Sequence, residues 1–404
     1  KAGLPVTTAP AGQEDNTAHA AVVGQDGSLQ LDGVDYSLAD LSPGARPATD
    51  TDEAGWWMVM DRTEREVATA GNLVTDDALN AYVSAVACRV AGDHCNDLRV
   101  YLINRPAFNA TMAPNGMMSV WTGLLLRVRS EAQLATVLGH EFGHYLRRHT
   151  LQRMRDVIAM TNGLIFFQIA VGVAGAAPVG DIAALGVLGS IQSYSRDHER
   201  EADGYGLLFL YQAGYDVREA AKVWQHLLDE RDADPDREQP SIFFSSHPPS
   251  DERQKVLAEL GAALHQHGAM TDTGRDRFLA ATLPYRHAWL RDELNLRQFE
   301  STDVLLDGLL DGDPNPAELY FFKGELRRLR NGDGDNAAAI EFYDRALSAA
   351  GNAPPDLHRS RGIVLLRTGD RAAAAEALRA YLTAVPDAPD RLIIEQMIER
   401  PRVS

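Results

Sequence analysis

The sequence predicts an α+β fold that is mainly helical, with a small β-sheet inside a helical domain and a helical repeat region behind it. Three observations carry this. Short apolar runs flank a Pro114-Asn115-Gly116 turn, a well-capped helical pattern follows from Ser130, and beyond about residue 275 nearly every segment has helical periodicity.

At 404 residues with 45% apolar content, the chain fits two or three domains with ordinary cores. The 39 Lys and Arg against 57 Asp and Glu leave a formal charge of −18. That balance predicts no nucleic-acid partner, because phosphate backbones are bound by clustered cations. Cys88 and Cys95 stand alone in "CRVAGDHC", so no four-thiolate metal site exists. They read as a local disulfide in an oxidising compartment or as two buried thiols. The chain opens on Lys1, and a removed signal peptide is the expectation.

Residues 1–54 are rich in Ala, Gly, Pro, Asp and Thr and predict a poorly ordered or loosely packed segment, with one short strand near "SLQLDGVDYSL". From 55 to 270 the pattern is that of a domain. Leu79, Tyr82, Val83 and Val86 have helical spacing behind Thr75 as N-cap, "LRVYLIN" is a strand, and "FNATMAPNGMMSVWTGLL" holds a turn with a strand leading out of it. "SEAQLATVLGHEFGHYLRRHT" is the clearest helix. Ser130 and Gln133 make a capping box, and Arg147, Arg148 and His149 fall in the last turn, favourable to the dipole.

From Val157 to Gly180 no residue is charged, and after Asp181 a second uncharged run reaches Ser195. The length reaches the threshold for a membrane span, but Asn162, Gln168, Pro178 and several glycines oppose one. A buried helical pair, or a lid or hairpin in peripheral membrane contact through 157–195, stands beside that reading.

Residues 275–400 contain a repeat: Gly324 and Tyr343 recur as Gly362 and Tyr381. Each unit is a helix, a Gly-Asp turn and an Ala-rich helix, and neither helix can bury its face without a neighbour. The unit resembles the tetratricopeptide repeat, with the residues beyond its usual length placed in "NGDGDN".

Chemistry concentrates in "GHEFGHYLRR". His140 and His144 share one helical face and can turn both imidazoles to one metal ion, while Glu141 can take a proton from an attacking water. Two histidines are too few, and "YSRDHEREAD" offers His198, Glu199, Glu201 and Asp203. Glu199 and Asp203 share a face one turn apart and Glu201 points away from both. A surface charge cluster is the bland alternative for this segment.

"HEFGH" followed by "YSRDHEREAD" resembles the gluzincin metallopeptidases that include the CAAX prenyl proteases and the HtpX-like proteins. With C-terminal repeats the chain is most similar to the BepA-like periplasmic zinc proteases. The resemblance covers about Leu79 to Arg253 and implies a zincin-like metalloprotease domain with a small sheet. It implies one Zn2+ per chain, held by His140, His144 and Glu199, with Glu141 as catalytic base and Asp203 supporting a ligand. In "SHPPSDER", His247 matches a histidine that can block the water position, and Arg253 an arginine suited to an oxyanion. Asn109, Ala110, Thr111 and Met112 match an edge strand for substrate. Asn115 stands where relatives more often have glycine, and Asn tolerates left-handed geometry.

The function so implied is a zinc metalloendopeptidase acting on non-native or misassembled envelope proteins. Its setting would be outer-membrane protein quality control in the periplasm of a Gram-negative bacterium, in association with the outer membrane. Unfolded substrates and, through the repeats, outer-membrane assembly machinery are the expected partners. The alternative is a repeat-based binding or chaperone-like assembly factor with a structural or idle metal site.

Overall fold

The computed structural model describes residues 21–23, 29–31, 34–36, 41–161, 194–235, 242–248, 251–268 and 270–399. Three antiparallel strands open it: β1 (Ala21–Val23), β2 (Leu29–Leu31) and β3 (Val34–Asp35). Tyr36 leaves this small sheet and buries its ring edge-on against Tyr205, with centroids 5.2 Å apart. Residues 1–20, where much of the N-terminal expectation falls, lie outside the described residues.

Helix α1 (Asp52–Val67) is capped by Thr51. In α2 (Asp77–Ala91) the cap is Asp76 and not Thr75: the Asp76 carboxylate accepts the Leu79 N–H at 2.9 Å. A carboxylate is the stronger acceptor at the positive end of a helix. Leu79, Val83 and Val86 are buried as their spacing predicts, and Tyr82 donates to Glu131 at 3.1 Å. A disulfide joins Cys88 to Cys95 across the 3-10 turn Gly92–Asp97.

The central sheet holds β4 (Arg99–Ile103), β5 (Ala110–Met112) and β6 (Met117–Trp121) in the order β4-β6-β5. β4 runs parallel to β6 and β5 antiparallel to it, so β5 is an edge. In the turn between them it is Gly116 that adopts positive φ, at +89°, and a Cβ there would meet the Asp97 carbonyl oxygen at 2.0 Å. Asn115 serves a different purpose from the expected one. It is buried and donates to Asp61 at 2.8 Å and Glu64 at 2.9 Å, tying the turn to α1.

After α3 (Thr122–Arg127) comes α4 (Glu131–Leu146), and all 16 of its residues are buried. The expected amphipathic helix is therefore the central one. Ser130 accepts the Gln133 N–H at 3.2 Å, but Gln133 reaches back to the Arg129 N–H, one residue earlier than a capping box requires. Arg148 takes φ +55°, which ends the helix and redirects the chain, so that His149 begins α5 (His149–Thr161) instead of closing α4. Residues 162–193, most of the long uncharged stretch, lie outside the described residues. Among the described residues no helix is long and apolar enough to cross a membrane.

Four helices complete this half: α6 (Arg196–Gln212), α7 (Glu219–Asp232), α8 (Ile242–Ser246) and α9 (Asp251–His267). α6 lies along α4 because glycines line the seam. A Cβ on Gly139 would sit 3.4 Å from the Gly206 Cα, and one on Gly143 would sit 2.9 Å from the Tyr205 Cβ.

The rest is helical, matching the predicted fold class: α10 (Arg275–Asn295), α11 (Phe299–Leu310), α12 (Pro316–Arg330), α13 (Asp335–Ser348), α14 (Asp356–Thr368), α15 (Arg371–Ala384) and α16 (Arg391–Glu399). Gly324 lies under the Tyr343 ring, where a Cβ would be 2.4 Å from the nearest ring carbon. Its counterpart Gly362 lies under Leu378, and Tyr381 instead donates to Asp390 at 3.1 Å. The connections on either side of α13 are residues 331–334 and 349–355. Arg127 fastens the two halves together. Its buried guanidinium donates to Glu230 of α7 at 2.8 Å and to Glu293 of α10 at 2.7 Å.

Candidate metal centre and active site

The glycine seam decides what the two helices present to each other. With α4 and α6 in backbone contact, His140 and His144 meet Glu199 and Asp203 across it, and all four are buried. His140 Nε2 lies 3.1 Å from His144 Nε2 and 3.6 Å from Glu199 Oε2, while His144 Nε2 lies 3.4 Å from Glu199 Oε1. Zinc bonds of about 2 Å in tetrahedral array would separate donor atoms by roughly 3.3 Å. Donor atoms of His140, His144, Glu199 and His247 all fall within 4.8 Å of one another, a compact cluster consistent with a single zinc site.

The hydrogen bonds supply a second test of fit. His140 Nδ1 faces the Asp203 carboxylate at 3.0 Å and must carry the proton it donates. His144 Nδ1 faces His149 Nδ1 at 2.9 Å, and His149 Nε2 faces the Glu201 carboxylate at 2.9 Å. A carboxylate only accepts, so His149 as the neutral imidazole carries its proton on Nε2 and accepts through Nδ1 from His144 Nδ1–H. With both rings neutral, His140 and His144 turn their Nε2 lone pairs toward each other at 3.1 Å, with His247 Nδ1 3.3 Å from His140 Nε2. A cation bound between them would relieve the repulsion of those lone pairs, and the donor set fits zinc.

Electrostatics agree for Glu199, His144 and Glu141, and run the other way for His140. Burial works to raise the Glu199 carboxyl, but His247, His144 and Arg253 outweigh it and hold the group well below the usual carboxylate range, so it is ionised. Burial pushes His144 well below its ordinary value, keeping it neutral as a ligand must be. For His140 burial is outweighed by Asp203 and Glu199, which raise it. Burial raises Glu141, the direction that suits a proton acceptor near neutral pH. Its Oε1 is buried without a hydrogen bond and lies 3.3 Å from His247 Nε2.

His247 stands among these groups, with its Nδ1 3.0 Å from Glu199 Oε1 and 3.3 Å from His140 Nε2. Arg253 is fully engaged in this arrangement. It donates to both oxygens of Asp203 at 2.7 and 2.8 Å, to the Pro248 carbonyl at 3.1 Å, and pairs with Glu199 at 2.6 Å. An oxyanion would have to compete with those partners.

Asn109 to Met112 run along the sheet edge. Asn109 and Ala113 main-chain groups face β6, so by alternation those of Ala110 and Met112 face away from it. A cleft of about 490 Å³, counting space open to solvent, lies between Met112 on this edge and Glu141, His247 and Tyr194.

Three participants escape the sequence reading. His149 counted only as a charge for the helix dipole, and Glu201 as a residue facing away. Tyr194, whose ring stacks on His144 at 3.9 Å, gave no signal at all. His198, the other open candidate, stacks on His149 with centroids 4.2 Å apart and stands outside the cluster.

Comparison with known proteins agrees with this geometry. The model of peptidase family M48 matches residues 74–260. The mitochondrial metalloendopeptidase OMA1 of Arabidopsis thaliana is 35% identical over 163 residues, covering 40% of this chain and 31% of that protein. OMA1 of Saccharomyces cerevisiae is 30% identical over 164 residues, 40% of this chain and 46% of that protein. The beta-barrel assembly-enhancing protease of Escherichia coli K12 is 27% identical over 178 residues, 41% and 36% respectively. The chain thus spans less than half the length of each of these relatives. Residues 74–260, built around the His140, His144, Glu199 and His247 cluster, are a peptidase family M48 domain.

Proposed function

We propose that this chain is a zinc-dependent metalloendopeptidase that cleaves internal peptide bonds of non-native or misassembled envelope proteins. The observation that carries the reading is the buried convergence of His140, His144 and Glu199, with the Glu141 carboxylate beside them. Zinc held by those three residues would act as a Lewis acid on the scissile carbonyl and lower the pKa of the attacking water. Glu141 takes the proton from that water and returns it to the leaving amine. Asp203 orients the His140 imidazole, and Arg253 holds Asp203 and Glu199 in turn. An extended substrate pairs with the edge strand Asn109 to Met112 once the groups that bury Ala110 and Met112 withdraw, a mode that asks little of side-chain sequence and suits unfolded chains. His247 fills the space between Glu141 and the ligands as a plug that must withdraw for turnover.

The periplasmic setting, the outer-membrane assembly partner and the BepA-like identity rest on the likeness to a protease named for beta-barrel assembly and on the C-terminal repeats. The Cys88–Cys95 disulfide supports an oxidising compartment. The test is Glu141→Gln with zinc content and casein cleavage measured together. Cleavage should fall by about 10²–10⁴-fold with zinc retained; undiminished cleavage would overturn the reading.

A second reading, a repeat-based binding or assembly factor with an idle metal site, draws on Leu392 and Ile393 of α16, which are 74% and 57% exposed. It predicts that Glu141→Gln leaves cellular function intact.

A further inference from the structure

The zinc-ligand reading assigns no task to Glu201 or His149, yet the hydrogen bonds tie both to the site. We propose that Glu201, acting through His149, is a positioning residue that fixes the tautomer of His144 and so makes its Nε2 available to the metal.

The argument starts from the chain's path. Arg147 caps α4, Arg148 turns through φ +55°, and His149 is thereby brought back against His144. His149 is 1% exposed, so its ring nitrogens have only protein partners to choose from. They are His144 Nδ1 at 2.9 Å and Glu201 Oε2 at 2.9 Å. One proton position at the far end therefore decides every proton position along the line. With Glu201 accepting, His149 donates from Nε2 and accepts at Nδ1, His144 donates from Nδ1, and His144 Nε2 is left bare. Were a donor to replace Glu201 Oε2, each step would reverse. His149 would accept at Nε2 and donate from Nδ1, and His144 would accept at Nδ1 and carry its proton on Nε2, where it cannot bind a metal.

A neighbour makes this reversal attainable by one substitution. Arg147 Nε donates to the other Glu201 oxygen at 2.8 Å. In Glu201→Gln the amide oxygen stays with Arg147, because that partner can only donate. The amide NH2 must then face His149 Nε2, presenting a donor where an acceptor stood. Glu201→Ala is different: the Glu201 side chain is 29% exposed, so water can enter and accept from His149.

The proposal rests on the zinc reading above, and its test separates the two. Zinc affinity of the purified full-length chain is measured by chelator competition, and apo-protein thermal unfolding is followed in parallel. Glu201→Gln should weaken zinc binding about 10–100-fold, the usual effect of losing a ligand's supporting partner, with the apo melting temperature close to wild type. Glu201→Ala should weaken it less. A merely structural carboxylate predicts the opposite order, because Gln is the closer replacement. His149→Asn, which keeps an acceptor near the Nδ1 position, should bind zinc more tightly than His149→Leu. Zinc binding in Glu201→Gln equal to or tighter than in Glu201→Ala overturns this proposal alone. A wild type that binds no zinc overturns the zinc reading and this proposal with it.

Discussion

Replacing Gly143 by Ala should damage the proposed metal centre without touching any residue proposed to hold the ion. The new methyl group would sit 2.9 Å from the Tyr205 Cβ and 3.3 Å from the Ala202 Cα and carbonyl oxygen, and two of those three atoms are α6 backbone. Carbon contacts settle at about 3.5 Å or more, so α6 must withdraw by about 0.6 Å. Overpacking of this kind costs about 1–3 kcal/mol, and Ala returns about 1 kcal/mol of helix propensity. The net loss of stability is therefore modest, roughly 0–2 kcal/mol. The metal site is less forgiving, because ligand distances must hold within about 0.2 Å. Glu199 rides on α6 while His140 and His144 ride on α4, so zinc affinity should fall about 10-fold or more. Gly55→Ala in α1 is the control. Among the described residues nothing beyond its chain neighbours and its own helix backbone lies within 4 Å of its Cβ, so it should stabilise by about 0.5–1 kcal/mol and leave zinc binding unchanged. Urea unfolding of the apo protein and chelator competition read both quantities. Gly143→Ala with wild-type zinc affinity would mean that the seam does not set the ligand spacing.

How much of this was legible in the sequence follows from where the information lies. The His140 and His144 pair on α4 could be read because i,i+4 spacing is local, and the small sheet could be read because its turn residues are. Composition and helix geometry left four candidates at 198–203, and the resemblance selected Glu199; the choice depends on which face of α6 meets α4, a tertiary fact. The glycines at 139, 143 and 206 were in plain view, but a small residue in a helix carries meaning only once its neighbour is known. Asp76 displaced Thr75 as a cap by one residue, and the Gln133 side chain accepted from the Arg129 N–H instead of the Ser130 N–H, because helix ends are settled by local acceptor strength and side-chain reach. His149 was misassigned for a sharper reason. The α4 helix ends through a left-handed Arg148, a conformation uncommon for any residue but glycine, and nothing in "YLRRHT" announces it. The relay through Glu201 was invisible for the same cause.

Three further outcomes follow from the structure. His247→Ala should raise casein cleavage, about 10-fold if the closed form is favoured by about 1.4 kcal/mol; unchanged cleavage would remove the plug. Chelation should lower the unfolding midpoint, since zinc at 1,000 times its Kd adds about 4 kcal/mol; a midpoint indifferent to chelator would mean that no folded-state metal site exists. The last concerns Glu230, whose carboxyl burial pushes up from 4.5 to about 7 against the pull of Arg127, with the negative charge of Glu293 adding to the rise. Arg127 carries one positive charge between two carboxyls, so the second carboxyl is held as the neutral acid. The folded-state pKa is above the unfolded one, so the folded chain binds more protons between these values. This contribution is fully present below about pH 4.5 and lost as pH rises through about 7. A rise of that size corresponds to at most about 3 kcal/mol. Other groups titrate over the same window, so the measurement is a difference: urea midpoints of wild type and Glu230→Gln at pH 5 and pH 8. The variant should gain on the wild type as pH rises, because its amide still accepts from Arg127 and cannot ionise. If the two lose stability in parallel between these pH values, Glu230 is already charged at pH 5, and the junction between the peptidase domain and the repeats holds two carboxylates on one arginine.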